Sequence, residues 1–163
     1  MLYSSIIYNL FKNIMKKAIL IAVLMCVALA GKAQSAFFRS CEDMENVETV
    51  YISKTMLHLV GLMKVDTENF DLNSLVRKLD SVEIVEAGGT QAVALEKKAA
   101  TNFHNYEKLM TVKDDSENVD ILYKRVDKEH NTFVIMTREP SELVIVILTG
   151  TLAPEDVVKA TRK

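Results

Sequence analysis

With 163 residues, 49% of them hydrophobic and 26% charged, the chain is too apolar for intrinsic disorder and long enough to bury a core. Its 22 acidic and 20 basic residues give a formal charge of −2, so no concentrated basic face is expected, and neither nucleic acid nor an anionic membrane is an expected partner.

In chain order, the first feature is a secretory signal. Met15, Lys16 and Lys17 supply a basic head, Ala18 to Ala30 an unbroken apolar run, and Gly31, Lys32 and Ala33 a small-x-small cleavage site. The apolar run is shorter than the ~20 residues that cross a bilayer as a helix, so a cleaved signal is expected rather than an anchor. Cleavage after Ala33 leaves Gln34 as the first mature residue, and Met15 is the expected start of translation. Met25 precedes Cys26, where an acylated cysteine requires a small residue, so no lipid anchor is expected. Residues 1–33 carry Lys12, Lys16, Lys17 and Lys32 and no acid, which leaves the mature chain mildly acidic, with 16 basic against 22 acidic residues. Cys26 leaves with the signal, and Cys41 is then without an intramolecular partner in an oxidising compartment.

Residues 34–163 show no repeat and no linker, and read as a single domain. Val47 to Ile52 alternate weakly, as a short strand or a helix. Met56, Leu59, Val60 and Met63 recur at helical spacing behind Ser53 or Thr55 as a cap. A second helix is expected behind Asp71, with Leu72, Leu75, Val76 and Leu79 on one stripe and Arg77 and Lys78 in water. Val82, Ile84 and Val85 read as a strand ended by Gly88 and Gly89, and Thr90 is the expected cap of a third helix lined by Ala92, Leu95, Ala99, Phe103 and Tyr106.

From Leu109 the period changes. Lys108 to Lys113, Val119 to Val126, Thr132 to Thr137 and Leu143 to Thr149 are β-favouring runs whose connections are too short for parallel crossovers, so they form antiparallel hairpins. Val144 to Leu148 lack alternation, which predicts a central strand covered on both faces. Pro154, Glu155 and Asp156, followed by Lys159, Arg162 and Lys163, describe a short terminal helix aligned with its dipole. The predicted architecture is α+β: three helices packed on one face of a mostly antiparallel sheet that ends in a four-strand meander, with a short C-terminal helix.

The segments Leu109 to Asp114, Val119 to Lys124, and Leu148, Thr149 and Gly150 resemble a family of small exported Bacteroidetes proteins, domain of unknown function 4252, over roughly Met44 to Ala160. The resemblance implies a cell-envelope setting and an α+β domain, and no activity. Members are often lipoproteins, a pattern from which this sequence departs.

Candidate chemistry is sparse. Cys41 with His58 or His104 has the residue types of a thiol nucleophile and base, but no local signature surrounds it. His58, His104 and His130 lack ligand spacing, and no metal or cofactor is expected. Asp114, Asp115, Glu117 and Asp120 form the densest acidic group; they lack the glycine and terminal acid of a calcium loop and read as a hairpin turn. Gly88, Gly89 and Thr90 lack the third glycine and lysine of a phosphate loop. The remaining candidate is an apolar groove between the first two predicted helices, formed by Met56, Leu59, Met63, Leu72, Leu75 and Val76, where methionine supplies an adaptable surface. The reading these features favour is an exported, non-enzymatic module that binds an envelope protein or peptide. A small exported enzyme with an unrecognised site and a carrier of an apolar small molecule are the alternatives.

Overall fold

The computed structural model describes residues 34–62 and 72–156. They form α1 (Ala36–Glu42), β1 (Val47–Ser53), α2 (Lys54–Leu62), α3 (Leu72–Arg77), β2 (Leu79–Gly88), α4 (Gly89–Asn102), β3 (Glu107–Lys113), β4 (Asn118–Arg125), β5 (Asn131–Arg138) and β6 (Glu142–Gly150). Helix begins again at 154–156, where Pro154 was expected to open it.

The six strands make one antiparallel sheet in the order β1-β2-β6-β5-β4-β3. The meander is β3 to β6, as the short connections require. Two of its turns are closed by aspartates: Asp114 Oδ1 accepts from the backbone N–H of Ser116 and Glu117, and Asp127 Oδ1 from those of Glu129 and His130. Strands β1 and β2 pair although α2 and α3 lie between them in sequence, and β6 then zips onto β2.

The first face of the sheet is covered by α1 and α4. Phe37, Phe38 and Cys41 from α1 and Leu95 and Ala99 from α4 pack with Val85, Ala87, Leu122, Val134, Met136, Leu143, Ile145 and Ile147. The second face is covered at one end, where Leu57 of α2 and Val76 of α3 pack with Leu79, Phe133 and Leu152, against Ile52, Val82, Tyr123 and Leu148.

Several expectations are corrected. Helices lie on both faces of the sheet, and there is one more than predicted: α1, capped by Ser35 Oγ, which accepts from the Phe38 N–H. Cys41 lies within this helix and is buried. Leu79 belongs to β2 and not to a helical stripe. Helix α4 is capped by Gly88 with no side-chain bond, and Gly89 takes a φ of 56°, so Thr90 lies inside the first turn rather than capping it. That helix ends at Asn102, yet Phe103 and Tyr106 still reach the core, stacked edge to face with centroids 5.1 Å apart. Strand β6 is central, as expected, but Val144 and Val146 are only half-buried while Ile145 and Ile147 are fully buried. One of its two faces is thus only partly covered. The Asp71 cap lies outside the described residues.

Candidate interaction surface

The predicted groove residues separate into two groups. Leu75 and Val76 pack into the core on the second face, with Val76 buried. Met56 and Leu59 turn outward instead, 53% and 54% exposed, and Leu62 beside them is 73% exposed. Helix α2 spends Leu57 on the core, half-buries Val60, and presents Met56, Leu59 and Leu62 to solvent. Met63 and the Leu72 side chain lie outside the described residues.

The larger apolar surface was not legible as a motif, because it is assembled by strand register. On the second face, cross-strand partners run Val50, Ile84, Val146, Ile135, Ile121 and Met110, one aliphatic side chain from each of the six strands. At about 4.8 Å between strands the row is about 24 Å long. Ile121 is buried, Ile84, Val146, Ile135 and Met110 are half-buried, and Val50 at the edge is 49% exposed. The next row holds Glu48, Glu86, Val144, Thr137, Val119 and Val112, with Val112 50% exposed. Glu48 and Glu86 face each other directly across β1 and β2, an arrangement of like charges that destabilises a strand pair. Among the described residues no cation bridges to either of them. The open part of this face is therefore an apolar band with two opposed carboxylates at one end.

A second concavity, about 160 Å³, lies beneath α4 and is lined by Glu96, Phe103, Lys108, Asp120, Met136 and Arg138 among others. Asp120 is its centre. It accepts from Thr111 Oγ1 at 2.6 Å and Arg138 Nη1 at 2.8 Å and pairs with Lys108 Nζ at 3.1 Å, while Arg138 Nε donates to Glu96 at 2.6 Å. Burial pushes the Asp120 carboxyl upward, but these donors outweigh it and hold it below the ordinary aspartate range. The four charges satisfy one another, which makes the cluster a clamp between α4 and the meander rather than a ready acceptor of a charged ligand.

The other candidates resolve into structural roles. Cys41 is fully buried, and burial raises its thiol despite the nearby Lys98 ammonium. It is therefore expected to resist thiol reagents in the folded protein and to react on denaturation; rapid native labelling, followed by mass spectrometry, would contradict this. His104 and His58 are exposed, and His130 sits in the β4–β5 turn, its Nδ1 3.0 Å from Asp127. Among the described residues no group of three His, Cys, Asp or Glu side chains converges to hold a metal. Asp114 is exposed and held low by its turn hydrogen bonds, and Asp120 faces the clamp, so the acidic letters do not share a site.

One buried group escaped the sequence reading. Glu83, in the middle of β2, is 2% exposed, and both its oxygens accept from Ser35: Oε1 from the backbone N–H at 2.6 Å and Oε2 from the hydroxyl at 2.5 Å. Burial raises its carboxyl, only partly offset by Ser35 and Arg39. The signal that marks it is the alternation of β2 itself, in which Ser81, Glu83, Val85 and Ala87 face inward.

No curated protein resembles the chain closely enough to count as a relative. The family model described as Domain of unknown function (DUF4252) matches residues 38–160, from within α1 to beyond β6, and so takes in the whole sheet. The chain belongs to this DUF4252 family.

Proposed function

We propose that the protein is an exported cell-envelope domain that binds another protein through the open part of the second sheet face. The observation that carries this reading is the six-strand aliphatic row, left partly open beside two opposed glutamates. A stable fold gains by covering such a row, since each apolar Å² removed from water contributes about 25 cal/mol. The occupant that fits is an amphipathic segment of a partner protein, apolar along one face, with lysine or arginine at the end that meets Glu48 and Glu86. A cation there relieves the repulsion between the two carboxylates. The exposed Met56 and Leu59 of α2 add adaptable apolar area. Export is supported by the signal grammar of residues 15–33, with cleavage between Ala33 and Gln34. Among the described residues no helix is long and apolar enough to cross a membrane.

The test is photo-crosslinking in intact cells from probes placed singly at Val50, Val112 and Val93. The first two lie on the open face, and Val93 is an exposed residue of α4 on the other side of the sheet. One shared adduct from Val50 and Val112, absent from Val93, whose crosslinked peptide carries basic residues, is the expected result. Glu86→Lys is expected to weaken that adduct at least tenfold while leaving the melting temperature within a few degrees, the effect of losing a favourable charge contact and adding a repulsive one. Equal capture from all three positions, or indifference to Glu86→Lys, would overturn the reading.

A further inference from the structure

We propose that the buried Glu83 carboxylate is the binding site for the α-ammonium group that signal removal creates at Gln34, so that processing fastens the new N-terminus to the sheet. The proposal rests on the export reading, in particular on cleavage between Ala33 and Gln34.

The geometry begins with Ser35, whose N–H and hydroxyl occupy the two oxygens of Glu83 at 2.6 and 2.5 Å. Gln34 is the residue before it and is half-buried. Successive backbone nitrogens are about 3.6 Å apart at most, which puts the Gln34 nitrogen within about 6 Å of the carboxylate. In the uncleaved chain that nitrogen is a neutral amide. In the processed chain it is a cation, at a distance where opposite charges favour ionisation.

Among the described residues the groups facing Glu83 are few. From α1 come Arg39 and Glu42, which act on it in opposite senses; from β1 comes Tyr51, and from the segment before β3 comes Tyr106. Its partner on β6 is the apolar Ile147. A carboxylate with so few compensating groups is stabilised by one more positive charge. The consequence reaches the core through α1. Ser35 Oγ also accepts from the Phe38 N–H, and α1 contributes Phe37, Phe38 and Cys41 to the first-face core. Fixing the N-terminus on Glu83 therefore holds in place the helix that closes that core.

The linkage has a definite sign. The ammonium gains a partner on folding, so its folded pKa is raised above the ordinary α-amino range of about 7.7–8.0, and its stabilisation is present below that range and lost as pH rises through the raised value. It is also lost in acid, as Glu83 becomes protonated.

The experiment uses the processed protein recovered from the cell envelope, its N-terminus read by mass. One portion keeps the free amine. In the other, Gln34 is cyclised to pyroglutamate: the α-nitrogen bonds to the side-chain Cδ, ammonia leaves, and the positive charge is gone. The free-amine form is expected to melt about 4 °C higher at pH 7, with the gap closing above about pH 10 and again in acid. In Glu83→Gln the gap is expected to vanish; if that variant does not fold, the pH profile of the wild-type pair decides. A Gln34 start with no gap, or a gap that persists unchanged in alkali, overturns the latch alone. A start at another residue overturns the cleavage position, and the latch with it.

Discussion

Gly150→Ala is expected to lower the melting temperature by about 10 °C, corresponding to about 3 kcal/mol of overpacking that the fold cannot relieve. Gly150 ends β6, is buried, and stands opposite Leu79 on one side and Asn131 on the other. A Cβ placed there runs into the carbonyl oxygen of Lys78 and the Cα of Leu79. Both are backbone atoms, so no rotamer change makes room. The same Lys78 carbonyl accepts from the Thr151 N–H at 2.7 Å, and the β2–β6 ladder is already irregular between Leu79 and Ser81. The substitution thus pries apart the point where α3, β2 and β6 meet above Phe133 and Leu152. Gly61→Ala is the matched comparison. Its Cβ would lie 3.6 Å from Val76 Cγ1, an ordinary contact, inside helix α2 where alanine is favoured over glycine. Thermal melting by circular dichroism should show that variant unchanged or slightly raised. Equal melting of Gly150→Ala and wild type would mean that β6 does not approach β2 as described.

Asp120→Ala is expected to cost about 3 kcal/mol, the lower end of the range for breaking a buried ion pair. The Asp120 side chain is only 8% exposed, whereas Arg138 is 26% and Lys108 56% exposed. Lys108 can return to water without penalty, Arg138 only in part, and Thr111 loses its acceptor. Replacing Asp120 and Arg138 together with leucine and methionine is expected to recover much of the loss, because the charges left behind, Lys108 and Glu96, are about half exposed and return to water. A double-mutant cycle measured by denaturant unfolding checks this. The acid response follows from the lowered carboxyl. Asp120 is stabilising above the ordinary aspartate value of about 3.9, and that contribution disappears as pH falls through its lower folded value. Asp120→Asn should therefore flatten the stability profile below about pH 4. Asp114 and Asp127, the latter lowered to about 2, share the same sign and should keep the curve from becoming fully flat.

Much of the architecture was legible locally. The connections around Asp114 to Asn118, Asp127 to Asn131 and Arg138 to Glu142 are too short for anything but hairpins, and the turn chemistry of Asp114 and Asp127 is a property of the residues themselves. Helix α4 announced itself through Leu95 and Ala99, which are fully buried. Helix α1 did not, since Ala36 to Glu42 make two turns with three core residues and a serine cap, too short for a periodic pattern. The surface assigned a partner was half-visible: Met56 and Leu59 were singled out for their spacing, but the band they adjoin consists of one residue from each strand.

What the sequence by itself determined are the properties that neighbours along the chain decide: the α+β order of elements, the four-strand meander and the family. What only the tertiary structure decided is which side of each strand is inside. Alternation says that Ser81 and Glu83 oppose Val82 and Ile84, and hydrophobicity alone would bury the valine and isoleucine. The structure buries the serine and glutamate instead, because α1 and α4 cover that face and Ser35 supplies the donors that Glu83 needs. The choice depends on partners 48 residues away in the chain, and so does the open aliphatic row that it leaves on the opposite face.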